Sequence, residues 1–386
     1  MNKLAKLLCA GLAAVLMAGS LASCGGPEDS ATVLKIGGIG PLTGQTASYG
    51  TAVENGAQLA IDEINAAGGV NGIQLELDFQ DDENNAQKAI TAYGLLKDEG
   101  CKILMGTVTS APCLAVKDLT YEDNMFQLTP SGSAVECTKY ENTFRICFSD
   151  DNQGAASAQY ISDRQLASKI AVIYDSSDPY SSGIYRTFKE KADELGLEIV
   201  SEQAFTSSNN TDFSVAVQQI KSSGAELVFL PIYYQQAALI LQQANSAGLE
   251  TQYFGCDGLD SIVQQLGNDS QLAEGVMLLT PFAADASDEK SQTFTAAYKA
   301  KYNNEIPNQF AADAYDAIYT IKAAMEQAGI DDASISVSDL CEKLKAAMTQ
   351  ITVDGVTGTM TWDENGEPTK DPKGMYIKDG SYTAMD

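Results

Sequence analysis

Strand-like and helix-like segments alternate along this chain in two successive series, and that alternation restricts the fold more than any other feature. Apolar or β-branched runs occur at Val33–Ile39, Ile73–Phe79, Lys102–Gly106, Met125–Thr129 and Phe144–Phe148. Between them lie helical stripes such as Val53, Ala57, Ala60, Ile61 and Ile64, which share one face. A second series runs through Ile170–Tyr174, Leu197–Phe205, Leu227–Ile232, Gln252–Gly255 and Val276–Phe282. Its helices carry the stripes Ile184, Phe188, Ala192, Leu195 and Phe213, Val217, Ile220, which read as core. Strands joined through helices pair in parallel, because only a long crossover returns the chain to the same end of a sheet. Two such series imply an α/β protein with two parallel, doubly wound sheets, each covered by helices on both faces. Helical patterns at Ser287–Tyr302, Phe310–Ala328 and Val337–Met348 come after both series and have to pack on an existing sheet. Two short strand-like pieces, Thr357–Trp362 and Gly374–Lys378, follow them.

The N-terminus, MNKLAKLLCAGLAAVLMAGSLASCGGPEDS, reads as a targeting segment. Lys3 and Lys6 form a basic start, and the apolar run Leu7 to Gly19 is too short to span a bilayer. Leu21-Ala22-Ser23-Cys24 resembles a bacterial lipobox, in which the Cys is acylated and becomes the first mature residue. The expectation is a signal peptide over 1–23, a lipid on Cys24 and a polar tether over 24–32, with the protein held by lipid to the outside of the bacterial cell membrane. An ordinary cleaved signal is the alternative.

Composition removes several function classes. Lys and Arg number 24 against 52 Asp and Glu, a balance that opposes nucleic acid or anionic lipid as partners. There is no histidine, which excludes Ser-His-Asp and Cys-His hydrolases and His-ligated zinc. Cys101, Cys113, Cys137, Cys147, Cys256 and Cys341 show no CxxC spacing, so no metal is expected. Cys137 and Cys147 flank a short polar excursion and are the best candidates for a disulfide; the others read as buried thiols. The first loop, in KIGGIGPLTGQTASYG, lacks the third glycine of a dinucleotide fingerprint, and Pro41 removes a backbone donor. No phosphate loop and no GxSxG elbow occurs, so neither a cofactor nor an enzyme is expected.

The pieces GPLTGQTASYG, AIDEINAAGGVNG, ILMGTVTSAP, YEDNMFQLTPSGSA, FRICFSDDNQG, QQANSAGL and GTMTWDENGEP occur in an order that resembles the type I periplasmic binding proteins. The resemblance is to their leucine/isoleucine/valine-binding branch, and it covers nearly all of the chain after the leader. It implies two Rossmann-like lobes that hinge shut over a ligand. Lobe 1 would take 33–150 and 282–355, and lobe 2 would take 151–281 and 356–386. Crossings fall near Ser149–Asp151, Thr280–Phe282 and Val353–Gly358. By the same resemblance Tyr49 packs on the ligand side chain, and Ser110, Ser131 and Ser133 bind its carboxylate. Asp257, with Tyr180 and Tyr233, receives its ammonium, and Phe310 forms an apolar wall. The branch's disulfide beside the cleft has no counterpart, since Thr109 stands at one of its cysteines, and Asp257 stands where a Glu is usual. Each of these residues also has a plainer reading, such as a helix cap for Asp257 or inter-lobe packing for Tyr180 and Tyr233. The implied function is a monomeric, lipid-anchored binding protein that takes up an aliphatic or branched-chain amino acid and delivers it to the permease of an ABC importer. A sensor of amino acids or amides, feeding a signalling partner, is the alternative.

Overall fold

The computed structural model describes residues 32–370 and 372–385. The expected signal peptide and Cys24 lie outside the described residues. From the N-terminal side the chain forms β1 (Val33–Gly40), α1 (Ala47–Ala66), β2 (Gln74–Asp81), α2 (Ala86–Asp98), β3 (Ile103–Gly106), α3 (Ser110–Glu122), β4 (Phe126–Thr129) and β5 (Thr143–Arg145). These five strands make one sheet in the order β2-β1-β3-β4-β5, with parallel pairing throughout. The second series gives α4 (Asp150–Asp163), β6 (Lys169–Asp175), α5 (Pro179–Leu195), β7 (Glu198–Phe205), α6 (Ser214–Ser223), β8 (Leu227–Leu230), α7 (Tyr234–Ala247), β9 (Gln252–Gly255), α8 (Ile262–Leu266) and β10 (Met277–Thr280). The chain closes with α9 (Glu289–Lys301), α10 (Gln309–Gln327), α11 (Val337–Met348), β11 (Val353–Asp354), β12 (Thr359–Met360), β13 (Lys373–Lys378) and β14 (Ser381–Ala384).

The second sheet runs β14-β13-β10-β9-β8-β6-β7. Its β7 to β10 portion is parallel, but β13 and β14 add to it antiparallel. The expected parallel, doubly wound arrangement thus forms the body of the second sheet, and the two C-terminal strands extend it antiparallel. No helix separates β13 from β14, and the two-residue turn at Asp379 and Gly380, both at positive φ, reverses the chain directly.

Helix ends carry the sequence's own punctuation. Asn85, Ser149, Asp178, Asp288, Asn308 and Ser336 accept backbone N–H groups at the starts of α2, α4, α5, α9, α10 and α11. The late helix α10 packs against α1, and a single glycine sets their spacing. A Cβ on Gly56 would lie 2.0 Å from the carbonyl oxygen of Ala311, so only glycine permits this approach.

After the small β11-β12 pair, segment 362–366 is bonded to the first sheet. The Arg145 N–H donates to Gly366 O, and the Trp362 indole N–H donates to Arg145 O at 2.7 Å. The last passage to the second sheet thus follows Lys370, later than the Val353–Gly358 crossing expected. Gly366 allows this: its φ is positive, and a Cβ would meet Thr143 O at 2.3 Å.

All six described cysteines are buried free thiols. The Cys137–Cys147 bond expected from spacing is not formed. Cys137 turns instead into a cluster with Cys113 and Ala134, while Cys147 faces the side of Arg145, Asp313 and Lys370.

Candidate functional site

The C-terminal ends of the parallel strands in both sheets face one small enclosed space, as open α/β sheets commonly arrange their ligand clefts. Its lining consists of Tyr49, Thr109, Ser110, Ser131, Ser133, Tyr180, Tyr233, Asp257 and Phe310, together with Val108 and Gly258. All nine residues singled out in the sequence are therefore brought together. The space is nearly filled by its own walls: only about 10 Å³ is open to the centre of a water-sized sphere, roughly what a single water needs. None of its lining residues is a lysine or arginine.

The first sheet contributes hydroxyls and a helix end. Ser110 is the first residue of α3, and its Oγ accepts the Ala134 N–H at 3.1 Å. Thr109 stands at the N-cap without capping the helix, because its hydroxyl donates to Asn84 Oδ1 at 2.7 Å. The first amides of α3 are thus left for whatever faces them. Ser131 Oγ donates to Val108 O at 2.6 Å. Ser133 Oγ is buried, with the buried Asp150 carboxyl beside it. The loop that carries these serines is shaped by the buried Arg145, whose guanidinium reaches the carbonyls of Gly132, Ser133, Ala134 and Val135.

The second sheet contributes a carboxylate and aromatic rings. Asp257 follows β9 in a 3-10 turn, and its Oδ1 accepts the Tyr180 hydroxyl at 2.6 Å. The Tyr180 hydroxyl in turn accepts the Gly258 N–H at 2.9 Å. Burial raises the Asp257 carboxyl to about 6, against the hydrogen bonds from Tyr180 and Gln153 that favour its charged form. Tyr180 stacks on Tyr233 with ring centroids 4.9 Å apart.

Tyr49 bridges the two sides. It lies inside the first turn of α1 and not just before the helix. Its hydroxyl donates to Gly258 O at 2.6 Å and accepts the Tyr234 N–H at 3.3 Å. Its ring packs on Phe310 at 4.2 Å between centroids. Burial pushes the hydroxyls of Tyr49, Tyr180 and Tyr233 well above ordinary tyrosine values, so all three stay neutral donors.

One residue just behind the site escaped the sequence reading. Asp150, the first residue of α4, is buried beside Ser133, and its Oδ2 would lie 2.9 Å from a Cβ on Gly183. Burial raises its carboxyl well above the usual range, with Asp257 adding in the same direction. In the sequence, SDDNQG reads as a serine cap followed by acids favourable to a first helical turn. That reading is correct for Asp151, which is half exposed and paired with Arg186, and it hides the inward role of Asp150.

Outside the enclosed space, across Tyr233, lies a wider polar vestibule whose walls include Gln45, Glu83, Asn84, Asp175 and Asp178. The inner space is thus a polar and aromatic chamber with a positive helix end on one side and a carboxylate on the other. Nothing in it resembles a nucleophile with its base.

Comparison with known proteins agrees with this geometry. The leucine-, isoleucine-, valine-, threonine- and alanine-binding protein of Pseudomonas aeruginosa is 30% identical over 341 residues, 88% of this chain and 88% of its own. The branched-chain amino acid transporter substrate-binding protein LivJ of Streptococcus pneumoniae, solved with isoleucine, superposes with a TM-score of 0.82 at 29% identity, over 91% of this chain and 98% of its own. A leucine-binding protein of Thermotoga maritima gives a TM-score of 0.81 at 28% identity, over 92% and 98%. These relatives are binding proteins and not enzymes. A family profile described as periplasmic binding protein matches residues 33–381, and the chain belongs to that family.

Proposed function

We propose that this protein captures a free α-amino acid with an aliphatic, branched side chain between its two lobes and presents the closed form to the permease of an ABC importer. The observation that carries this reading is the opposition across one small chamber of the α3 N-terminus with Ser110, Ser131 and Ser133 against Asp257 with Tyr180. Hydroxyls and helix-terminal amides stabilise a carboxylate, and a buried carboxylate stabilises an ammonium. Tyr49, Val108, Tyr233 and Phe310 supply the apolar wall for the side chain. The branched-chain ligands named for the Pseudomonas and Streptococcus proteins support the same ligand class. In this reading the lobes built on the two sheets hinge together, and the Tyr49 contacts to Gly258 and Tyr234 hold the closed form.

Family membership implies an extracytoplasmic location, and a lipid on Cys24 would keep the protein at the membrane. Mass spectrometry of the native N-terminus tests the anchor; an unmodified start at Gly25 would sink it. A panel of amino acids, amides and short peptides, read by thermal shift on the mature chain, tests the ligand. Leucine, isoleucine and valine should raise the melting temperature, since a ligand bound only to the native state stabilises it. If no amino acid does so, the proposal fails.

Two substitutions separate binding from folding. Ser133→Ala removes a hydroxyl whose one polar neighbour in the fold is the buried Asp150 carboxyl, so it should weaken ligand binding while changing the ligand-free melting temperature little. A hydrogen bond to a charged carboxylate is worth ~1.5–3 kcal/mol, or roughly tenfold or more in affinity. Ser110→Ala should weaken binding similarly and also cost stability, because it strips the Ala134 N–H of its acceptor. Normal calorimetric affinity in both variants would place the carboxylate elsewhere.

A further inference from the structure

We propose that Cys113 and Cys137 are a redox-active pair that closes into a disulfide when the protein meets an oxidising thiol–disulfide donor outside the cytoplasm. Cys113 lies in the first turn of α3, and Cys137 lies in a 3-10 turn at Val135–Thr138. With Ala134 they form a buried cluster separate from the main cores. The two thiols lie side by side in that cluster, within each other's electrostatic reach. The chain holds them there from several sides. Gly132 passes so close that a Cβ on it would sit 3.2 Å from Cys113 Sγ, and Gln127 Nε2 donates to the same sulfur at 3.3 Å. Arg145 anchors the intervening loop through the carbonyls of Gly132 to Val135.

The electrostatics differ between the two sulfurs. The neighbouring Cys137 thiol, with the charge of Arg145, holds the Cys113 thiol below its ordinary value against the burial that opposes it. Burial, with the neighbouring Cys113, pushes the Cys137 thiol up. An attacking thiol needs thiolate character, and a resolving thiol need only be adjacent. The other thiols lack this setting: burial raises Cys101 and Cys341 to about 12 and lifts Cys147 and Cys256 well above the thiol range.

In the reaction the Cys113 thiolate attacks a donor disulfide, forming a mixed disulfide and releasing one donor thiol. Cys137 then loses its proton and displaces the second donor thiol from Cys113. The donor disulfide is reduced to two thiols as the two protein thiols become one disulfide. Both sulfurs are fully buried, so the reaction requires the surface turn with exposed Val135 and Glu136 to open first. The bond would tie α3, which begins at Ser110, to the loop carrying Ser131 and Ser133, and so fix one wall of the chamber.

The test is to incubate the folded mature protein with oxidised glutathione and, separately, with diamide, then unfold it, alkylate free thiols and map the peptides by mass spectrometry. The expected result is a Cys113–Cys137 linked peptide, with Cys101, Cys147, Cys256 and Cys341 alkylated. The oxidised protein should melt roughly 4–8 °C higher than the reduced one, and a Cys137→Ser variant should show no such rise. Alkylation of both cysteines after both oxidants, or a bond from Cys137 to another cysteine such as Cys147, would overturn the proposal.

Discussion

Asp257→Asn is expected to nearly abolish binding of a free amino acid while leaving the fold intact. Asparagine keeps the shape and an acceptor for the Tyr180 hydroxyl at 2.6 Å, so the local network survives without its charge. A ligand ammonium enclosed in the chamber would then lose its partner, and truncating one member of a buried charged pair costs ~2–5 kcal/mol. That is between about thirtyfold and several thousandfold in affinity. Asp257→Glu keeps the charge and should fall between the two. The same carboxylate sets a pH dependence. Its value of about 6 means that the form able to receive an ammonium is depleted below that pH, so affinity should fall on acidification, by up to ~tenfold per unit. The fold responds with the opposite sign. A carboxyl raised above its unfolded value contributes stability at low pH that is lost as pH rises through about 6. Calorimetry and ligand-free melting between pH 5 and pH 8 should therefore diverge. Full affinity in the Asn variant would mean that Asp257 only holds Tyr180 in place.

The sheets were legible because several central parallel strands are buried on both faces and read as short apolar runs, while the edge strands β2 and β7 are mostly half-buried or exposed. Leu227–Leu230 and Met277–Thr280 show this directly, with all four residues buried in each. The last strands were harder. Ser381–Ala384 has no buried residue and no apolar run, and its best signal was the Asp-Gly turn that precedes it. The chamber was legible only through resemblance, since a Ser after a strand or a Tyr at a helix start carries no mark of facing a ligand. Asp150 illustrates the limit: one helical turn offers an outward acid and an inward acid side by side, and only packing tells them apart. The late crossing was missed for a similar reason. DENGEPTKDP reads as turns, yet Trp362 and Gly366 within and beside it are bonded to the edge of the first sheet.

Arg145 is the strongest instance of a role that spacing conceals, and its replacement should be the most damaging single change to stability. In FRICFSDD it reads as a polar residue at a strand end, but its side chain is fully buried. The guanidinium satisfies four consecutive backbone carbonyls and the Thr138 hydroxyl, and it meets Glu367 at 2.9 Å. Those carbonyls belong to the loop that presents Ser133 and leads to Cys137, so one planar cation shapes a wall of the chamber. Arg145→Met fills much of the volume but leaves the carbonyls without donors in a dry site. Removing one partner of a buried charged network costs ~3–5 kcal/mol, and each stranded carbonyl adds to the loss. Glu367 is less affected, because about a third of it reaches solvent. Arg145→Lys should recover only part of the stability, since an ammonium has three donors and no planar fork to span four acceptors. Urea unfolding of the three proteins should rank them wild type, Lys, Met. The ligand affinity of the variants that still fold should fall in the same order, because a loop released from Arg145 no longer holds its serines in place. A Met variant that unfolds at the wild-type urea concentration would show that the loop is held by its other contacts, and that the cation is incidental to the chamber.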